Sequence, residues 1–241
     1  MTKRLFSHVT LALSFLLVAC SEKPQGSTYF PLQKGLSWTY KVTTEYSDEV
    51  LQDNITITNI GQQTFGTDSY YVRRTNTGID YYLNHDDQGV FREGLRTVVE
   101  TKPRLDREKR FVLRTPLEIG TEWREISRPV LLLRVYPYRA RAGKAAQVPM
   151  IYRIDSITAT VTVPAGTFDD CIKVIAYGSF KSHVDAVQGE IEIPLVTEEW
   201  YAPDVGLVKQ IRSELQGESI TVFNKPIFLG GRTVLELEQG P

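Results

Sequence analysis

The sequence predicts an all-β protein, with one or more antiparallel sheets built from two tandem related β units in a curved or half-barrel shape. Most of the chain consists of short runs rich in Val, Ile, Thr, Tyr and Phe, separated by Gly, Asp, Asn and Pro, which is typical of strands and tight turns. Almost no stretch of twelve residues has helical periodicity, so neighbouring strands are expected to be antiparallel. The pattern P-L-x-x-G-x-x-W also occurs twice, at 31–38 and 116–123.

The segment 1–19 differs from the rest of the chain and is predicted to be a secretion signal. Lys3 and Arg4 precede a mostly apolar run that ends at Val18, and a positive start followed by an apolar run is the pattern of a signal peptide. The run is shorter than the roughly 20 residues that a membrane-spanning helix needs. A permanent transmembrane segment is therefore the weaker interpretation.

The four residues LVAC at 17–20 resemble the lipobox of bacterial lipoproteins. That resemblance implies that Cys20 becomes the N-terminus and carries acyl chains such as palmitate, which anchor the protein to a membrane. An ordinary signal peptide with a chance cysteine is the alternative. Because Ser21 rather than Asp follows, the resemblance implies the outer membrane, and the inner membrane stays open. The polar residues 20–28 then form a flexible lipidated tether.

Composition and cysteine content exclude several classes of protein. A formal net charge of −1 gives no basic footprint for nucleic acid. If Cys20 carries lipid, Cys171 has no partner for a disulfide bond within the chain. Cys171 lies in the apolar run DDCIKVIAY, where a buried small side chain is favoured over a reactive thiol. No spacing of Cys and His indicates zinc, so we expect no metal and no cofactor.

Three matches in one order support an internal duplication. Besides the opening pattern, Thr-Phe at 64 recurs at 167, and DQGVFR at 87 resembles DVGLVK at 204. Reuse of turn chemistry is the alternative explanation. The repeated residues are expected to have structural roles: Pro31, Gly35, Trp38 and Gly89 in the first copy, and Pro116, Gly120, Trp123 and Gly206 in the second.

This duplication predicts a first β unit at 29–103, a connector at 104–114 and a second β unit at 115–241, with both units in one compact domain. The second unit is longer, and the extra residues are expected around 130–149 and 181–193. Extra segments of a repeat protein tend to lie in binding loops.

The first of these insertions carries an excess of positive charge with no acid among it. Arg side chains interleaved with Tyr can hold phosphate or carboxylate groups or face an acidic protein, although a solvated hairpin is the plainer interpretation. The candidate contacts for a partner or ligand are Arg134, Tyr136, Tyr138, Arg139, Arg141 and Lys144.

Two further stretches, VPAGTFDDCIKV at 163–174 and EWYAPDVGLVKQI at 199–211, resemble the signature of a widespread, poorly characterised group of secreted bacterial lipoproteins and periplasmic proteins. The signature has Gly where this chain has Asp204, so a different turn is possible at that corner. The resemblance implies no reaction and no catalytic residues. The outline is also distantly similar to half-barrel lipoprotein carriers of the outer membrane.

Catalytic motifs are missing from the sequence. His85 is followed by two Asp residues, but a polar hairpin tip explains this cluster, and Glu198 and Glu199 are expected on opposite faces of a strand. There is no G-x-S-x-G, H-E-x-x-H or phosphate-binding glycine loop. We therefore predict that the protein is not an enzyme.

Two functions remain open at this point. The first is a lipid-anchored, periplasm-facing interaction or scaffold protein of the bacterial envelope, which docks an envelope protein through its enlarged second unit. The alternative is a carrier that binds an acyl chain or another hydrophobic ligand on a concave sheet. Both place the protein at the outer membrane, attached through Cys20, while the inner membrane and the cell surface are not excluded.

Overall fold

The computed structural model describes residues 25–132, 147–183, 189–222 and 225–241. These contain one short helix, α1 (Gln25–Tyr29), and twelve strands. The first six strands are β1 (Ser37–Glu45), β2 (Val50–Phe65), β3 (Asp68–Thr75), β4 (Asp80–Asp86), β5 (Gly89–Arg96) and β6 (Arg104–Arg114). The second six are β7 (Glu122–Ser127), β8 (Val148–Val163), β9 (Gly166–His183), β10 (Glu190–Ala202), β11 (Gly206–Val222) and β12 (Lys225–Gln239).

All twelve strands belong to one antiparallel sheet, which confirms the predicted fold class. The order is β6-β5-β4-β3-β2-β1-β12-β11-β10-β9-β8-β7. Each strand therefore pairs with its neighbour in the chain, apart from β6 and β7, and the pairing of β1 with β12 joins two six-stranded meanders. Short turns are sufficient to connect antiparallel neighbours, so the fold needs no crossover helices.

The sheet curls until its two edge strands, β6 and β7, face each other, so it is nearly a closed barrel rather than a half-barrel. No backbone ladder joins these two strands in the described part of the chain. Side chains hold them together instead: the Phe111 N–H donates a hydrogen bond of 2.7 Å to Oε1 of Glu125. We call this junction the seam, and the space that the inner face encloses the lumen.

The opening motif occupies the same place in both meanders. Trp38 and Trp123 are each the second residue of the first strand, and both are buried. Two residues before each of these strands, Gly35 and Gly120 have φ of 95° and 92°, a region that favours glycine. The Gly35 N–H donates to the Asn59 carbonyl at 2.8 Å, and the Gly120 N–H donates to the Ile154 carbonyl at 2.8 Å.

The other two motifs differ in how well they correspond. Gly89 and Gly206 each begin the fifth strand of their meander, so the Asp-x-Gly turns are in equivalent positions. Asp204 has φ of 58°, the left-handed conformation that glycine adopts readily. The Thr-Phe pairs, by contrast, lie on opposite sides of the second hairpin, at the end of β2 and the start of β9.

Several boundaries differ from the sequence-based expectation. The segment 104–114, predicted to be a connector, forms the edge strand β6, because Phe111 and Leu113 supply apolar side chains that pack in the core. The end of the predicted tether, from Gln25, forms α1. The insertion around 181–193 lengthens the hairpin of β9 and β10, which stay paired from Tyr201 to Glu190.

Two segments outside the strands close parts of the lumen. Residues 25–33 cross one end, which we call the capped end: the Asp204 N–H donates to the Thr28 carbonyl at 2.7 Å, and Asn59 Nδ2 donates to the Pro31 carbonyl at 3.0 Å. The segment 128–132, after β7, enters the lumen and buries Leu132 completely among inward side chains of β8, β9 and β10.

Candidate functional site

The middle of the lumen contains a cavity of about 290 Å³ beside the seam. Alternation along the strands directs one side chain in two toward this space, and ten of the twelve strands contribute. β9 and β12 do not. The wall combines aromatic, aliphatic and charged side chains: Phe30, Tyr40, Ile57, Arg73, Tyr81, Leu83, Arg92, Arg110, Phe111, Val112, Glu125, Tyr152, Glu199, Tyr201, Leu207 and Gln210.

Arg73 is the buried cation of this cavity. It lies on β3 opposite Asn59 of β2, and only 8% of the residue is exposed. Its Nε donates to Asn59 Oδ1 at 2.8 Å, and its Nη2 donates to the Pro31 carbonyl at 2.8 Å. The guanidinium carbon lies 4.0 Å from the ring centre of Phe30 and 4.5 Å from that of Trp38.

The electrostatic state of Arg73 follows from burial. Burial lowers the pKa of its guanidinium to about 10, against the raising effect of nearby tyrosines. The group therefore stays positively charged at neutral pH. Within the described ranges, no carboxylate lies within ion-pair distance of it.

Glu199 of β10 lines another part of the wall. Its carboxylate accepts a hydrogen bond of 2.7 Å from the Tyr201 hydroxyl and one of 2.6 Å from Gln210 Nε2. Burial raises the pKa of this carboxyl, although both hydrogen bonds act to lower it. The shift favours the uncharged form, because a buried carboxylate without a paired cation is costly.

The seam forms the third part of the wall. Glu125 of β7 accepts the Phe111 N–H and lies 3.5 Å from Nε of Arg110, while Nη2 of Arg110 donates to the Ile126 carbonyl. Arg92 of β5 forms a bidentate ion pair with Asp106: its Nε lies 2.8 Å from Oδ2 and its Nη2 lies 3.1 Å from Oδ1. Both arginines of this wall are therefore already neutralised by acids.

A second polar cluster in the lumen is closed by the protein itself. The backbone N–H groups of Val130, Leu131 and Leu132 donate to the carboxylate of Glu214 at 2.9–3.1 Å. Arg212 donates from Nε to Oε1 of the same carboxylate at 2.7 Å. Glu214 is completely buried. These contacts attach the segment 128–132 to β11.

None of the described residues that line the cavity was among the candidate sites that the sequence singled out. Cys20 and the Arg- and Tyr-rich contacts, from Arg134 to Lys144, are outside the described residues, so their roles stay predictions. Cys171 is buried, and burial raises the pKa of its thiol to about 11, as expected of a structural cysteine. His85 stacks on Tyr71 with ring centres 5.6 Å apart.

Sequence reasoning missed Arg73 and did not assign a role to Glu199. The expected separation of Glu198 and Glu199 is observed: Glu198 pairs with Lys173 at 2.8 Å, and Glu199 faces the lumen. A signal for Glu199 existed, since it follows the alternation that places Thr197 and Tyr201 inward. For Arg73 the adjacent Arg74 has the same chemistry, and the sequence does not indicate which of the two points inward.

The described ranges contain neither a candidate metal-binding cluster nor a candidate membrane-spanning helix. No group of three or more His, Cys, Asp or Glu side chains there could hold a metal ion. Among the same residues, no helix has the length and apolar character needed to cross a membrane.

Comparison with known proteins gives a family match over part of the chain. The DUF3108-like family model matches residues 138–221, which is less than half of the sequence. These residues include the second and third motifs of the second unit. No curated protein matches the chain significantly.

Two solved structures are similar to this chain over most of its length. One is a candidate lipoprotein from Parabacteroides distasonis, with 20% identity and a TM-score of 0.37 over 89% of this chain and 98% of that one. The other is a candidate exported protein with a YmcC-like fold from Bacteroides fragilis, with 13% identity and a TM-score of 0.39 over 87% and 96%. At these scores neither likeness carries an argument about function.

Proposed function

We propose that this protein is a lipid-anchored protein of the bacterial envelope that binds one small molecule in its lumen. The observation that carries the proposal is the cavity beside the seam. Small barrels either fill their interior with side chains or hold a small ligand. Here the lumen is filled around Leu132 but leaves about 290 Å³ open around Arg73.

The lining favours a small amphipathic ligand over a bare acyl chain. Ligand sites combine apolar walls with a few placed polar groups, and this wall has both: rings such as those of Phe30 and Phe111, and polar groups such as Arg73, Glu199 and Gln210. A purely apolar chain would leave the remaining N–H donors of Arg73 without acceptors, which is unfavourable.

The seam is the proposed access route. Neighbouring strands elsewhere in the sheet are joined by backbone ladders, whereas β6 and β7 are joined through side chains of Arg110 and Glu125. Rotamer changes of exposed side chains occur within nanoseconds, while separating paired strands requires local unfolding. A small molecule can therefore pass at the seam with the least disruption.

Lipidation of Cys20 is part of the proposal. Because α1 begins at Gln25 and packs against the start of β5, few residues separate the lipid from the folded domain. A fully extended chain from Cys20 to Gln25 spans at most about 18 Å. This anchor would keep the capped end next to the outer membrane, facing the periplasm.

The anchor is tested by labelling cells with radioactive palmitate and separating their membranes. We expect label on the wild-type protein and none on Cys20→Ser. We also expect Ser21→Asp to move the labelled protein from the outer to the inner membrane in an enteric host. Unlabelled wild-type protein would overturn the anchor, and an unchanged distribution of Ser21→Asp would overturn the sorting.

Ligand binding is tested by native mass spectrometry of the protein purified from the periplasm in a form that begins at Ser21. We expect a small molecule bound at one copy per chain. Ile57→Phe fills the cavity from β2 and should abolish the adduct, whereas Thr58→Phe, one residue along the same strand, should retain it. A ligand-free wild-type protein would count against the proposal, as would an adduct that survives Ile57→Phe.

Docking of an envelope protein through the segment from Arg134 to Lys144 stays a prediction. Its specific support is the anchoring of the preceding residues, 130–132, by Glu214. A crosslinked partner that is lost when Arg134, Arg139 and Arg141 are changed to Glu would establish this function separately from ligand binding.

A further inference from the structure

We propose that the ligand of the cavity is an anion and that Arg73 binds its carboxylate or phosphate group. This inference rests on the proposed function, because it names the class of molecule that the lumen holds. It is carried by the pairing of the charged groups around the cavity, together with the mixture of rings and hydrogen-bonding groups in the wall.

The first step is the balance of charge. Among the three arginines that line the cavity, Arg92 is paired with Asp106 at 2.8 Å and Arg110 with Glu125 at 3.5 Å. Arg73 has no carboxylate partner in the described part of the chain, although it is the most buried of the three. The cavity therefore has one positive charge that the protein leaves without a counter-ion.

The second step is the donor count of Arg73. A guanidinium has five N–H donors. The described residues accept two of them, through Asn59 Oδ1 and the Pro31 carbonyl. The remaining donors are the second N–H of Nη2 and both N–H groups of Nη1. Parallel N–H groups on two guanidinium nitrogens form a planar fork that suits the two oxygens of a carboxylate or phosphate.

The third step is the cost of the buried charge. Burying a cation without a paired anion is unfavourable, and here only the faces of Phe30 and Trp38 and two neutral acceptors compensate for it. A bound anion would supply the missing partner to a guanidinium that is itself buried, where charge-assisted hydrogen bonds are strong.

Other polar groups of the wall are compatible with an anion. Tyr201 and Gln210 donate to the two carboxyl oxygens of Glu199, and burial raises the pKa of this carboxyl, which disfavours a second negative charge beside a bound anion. The Tyr152 hydroxyl makes no hydrogen bond to the described residues and lines the same space, so it is available as a donor.

The size and shape of the cavity limit the rest of the ligand. At about 30 Å³ per water molecule, the volume of about 290 Å³ equals roughly ten waters, which suits one ring or a short chain. Phe30, Tyr81, Phe111 and Tyr152 supply flat apolar walls that pack well against a ring. The proposed ligand class is therefore a small amphipathic anion.

The test compares two probes of nearly equal shape and different charge. Dissociation constants are measured by fluorine NMR for 4-fluorobenzoate and for its neutral counterpart 4-fluorobenzamide. 4-Fluorophenyl phosphate serves as a third probe, to distinguish a carboxylate from a phosphate preference. We expect the better anion to bind wild-type protein about tenfold more tightly than the amide, as one charge-assisted hydrogen-bond pair would provide.

Variants then assign the preference to Arg73. Arg73→Gln should reduce the tenfold ratio to about one, and Arg73→Lys, which keeps the charge but loses the fork, should retain part of it. The matched control is Arg74→Gln, because Arg74 is the next residue and pairs with Asp80 on the outer face. The control should leave the ratio unchanged. Circular dichroism of each variant shows whether it has folded.

The outcomes separate this inference from the proposed function. Equal binding of the anions and the amide would overturn the inference and leave ligand binding in the lumen intact. A preference for the anions that survives Arg73→Gln would also overturn the assignment. If none of the three probes binds and the periplasmic protein carries no small molecule, the proposed function and the inference both fail. The wild-type ratio alone decides the charge preference if Arg73→Gln does not fold.

Discussion

Two arginines on the inner face of the same sheet, Arg73 and Arg212, have opposite surroundings. Arg212 donates to the carboxylate of Glu214 and to the Arg128 carbonyl, both at 2.7 Å. Arg73 has two neutral acceptors and two aromatic rings, and no acid in the described part of the chain. One part of the lumen is therefore completed by the protein itself, whereas the other contains a positive charge that a ligand can neutralise.

The largest loss of stability is expected at Glu214, which neutralises Arg212 within the protein itself. Glu214→Ala leaves Arg212 without its carboxylate and three backbone N–H groups without an acceptor, so the free energy of unfolding should fall by about 3 kcal/mol or more. Urea denaturation measures this change. Glu236→Ala is the control, because the ion pair of Glu236 with Lys209 is partly exposed and such pairs contribute at most about 1 kcal/mol.

A smaller loss of stability is expected when Arg73 is changed. Arg73→Met removes two hydrogen bonds, which destabilises the fold. It also removes a buried charge that has no counter-ion, and this relief partly offsets the loss of the hydrogen bonds. We expect the free energy of unfolding to fall by about 1–2 kcal/mol in ligand-free protein. A loss as large as that of Glu214→Ala in the same urea experiment would make Arg73 equally structural and remove the contrast between the two regions.

The next prediction concerns the pH dependence that Glu199 introduces. Burial raises its pKa in the folded state, so the folded protein keeps this proton to a higher pH than the unfolded chain. The free energy of unfolding should therefore fall as the pH rises from the ordinary carboxyl range to the raised pKa. Glu199→Gln should lose this part of the pH dependence in urea denaturation at several pH values.

Asp80 should contribute a pH dependence of the free energy of unfolding that is opposite in sign to that of Glu199. Burial alone would raise the pKa of this carboxyl, but hydrogen bonds from Arg74 and Arg96 outweigh burial and lower it. Its stabilising contribution is present above the ordinary carboxyl range and is lost as the pH falls through the lowered pKa. Asp80→Asn should therefore reduce the change in the free energy of unfolding with pH below the ordinary carboxyl range, where Glu199→Gln has no effect. Identical profiles for the two variants would contradict both assignments.

The smallest effect on stability is expected at the seam. Glu125→Ala removes the acceptor of the Phe111 N–H and a partly exposed ion pair with Arg110, which together contribute about 1 kcal/mol. Local opening should nevertheless become more frequent. Hydrogen exchange of the Phe111 amide should accelerate, while amides between β1 and β12 keep their wild-type rates. Unchanged hydrogen exchange at the Phe111 amide would show that Glu125 does not stabilise the closed seam.

The sequence was sufficient to predict the strands and several of their turns. Short alternating runs gave the all-β class, and the spacing of Gly35 and Trp38 from Gly120 and Trp123 pointed to two similar halves, which have the same strand order in the structure. These features are local, since they depend on residues that are close together in the chain. The sequence also indicated that Cys171 would be buried.

The lumen could not be predicted in the same way, because it depends on distant contacts. The curvature of the sheet brings Glu125 close to Phe111. The same curvature determines whether the sheet forms a half-barrel or a nearly closed barrel. The contact of Glu214 with the N–H groups of 130–132 joins residues far apart in sequence. The inward position of Arg73 depends on the pairing of β3 with β2, which has a bulge between Asn59 and Gly61.

The most direct test of the account is to observe both arginines while a ligand is added. In nitrogen-15 NMR spectra, the Nε–H signals of Arg73 and Arg212 report on the two regions separately. On titration with 4-fluorobenzoate, we expect the Arg73 signal to shift in a saturable way and the Arg212 signal to stay in place. A saturable shift at Arg212 alone, or no shift at either arginine, would contradict the claim that the lumen binds a small anion at Arg73.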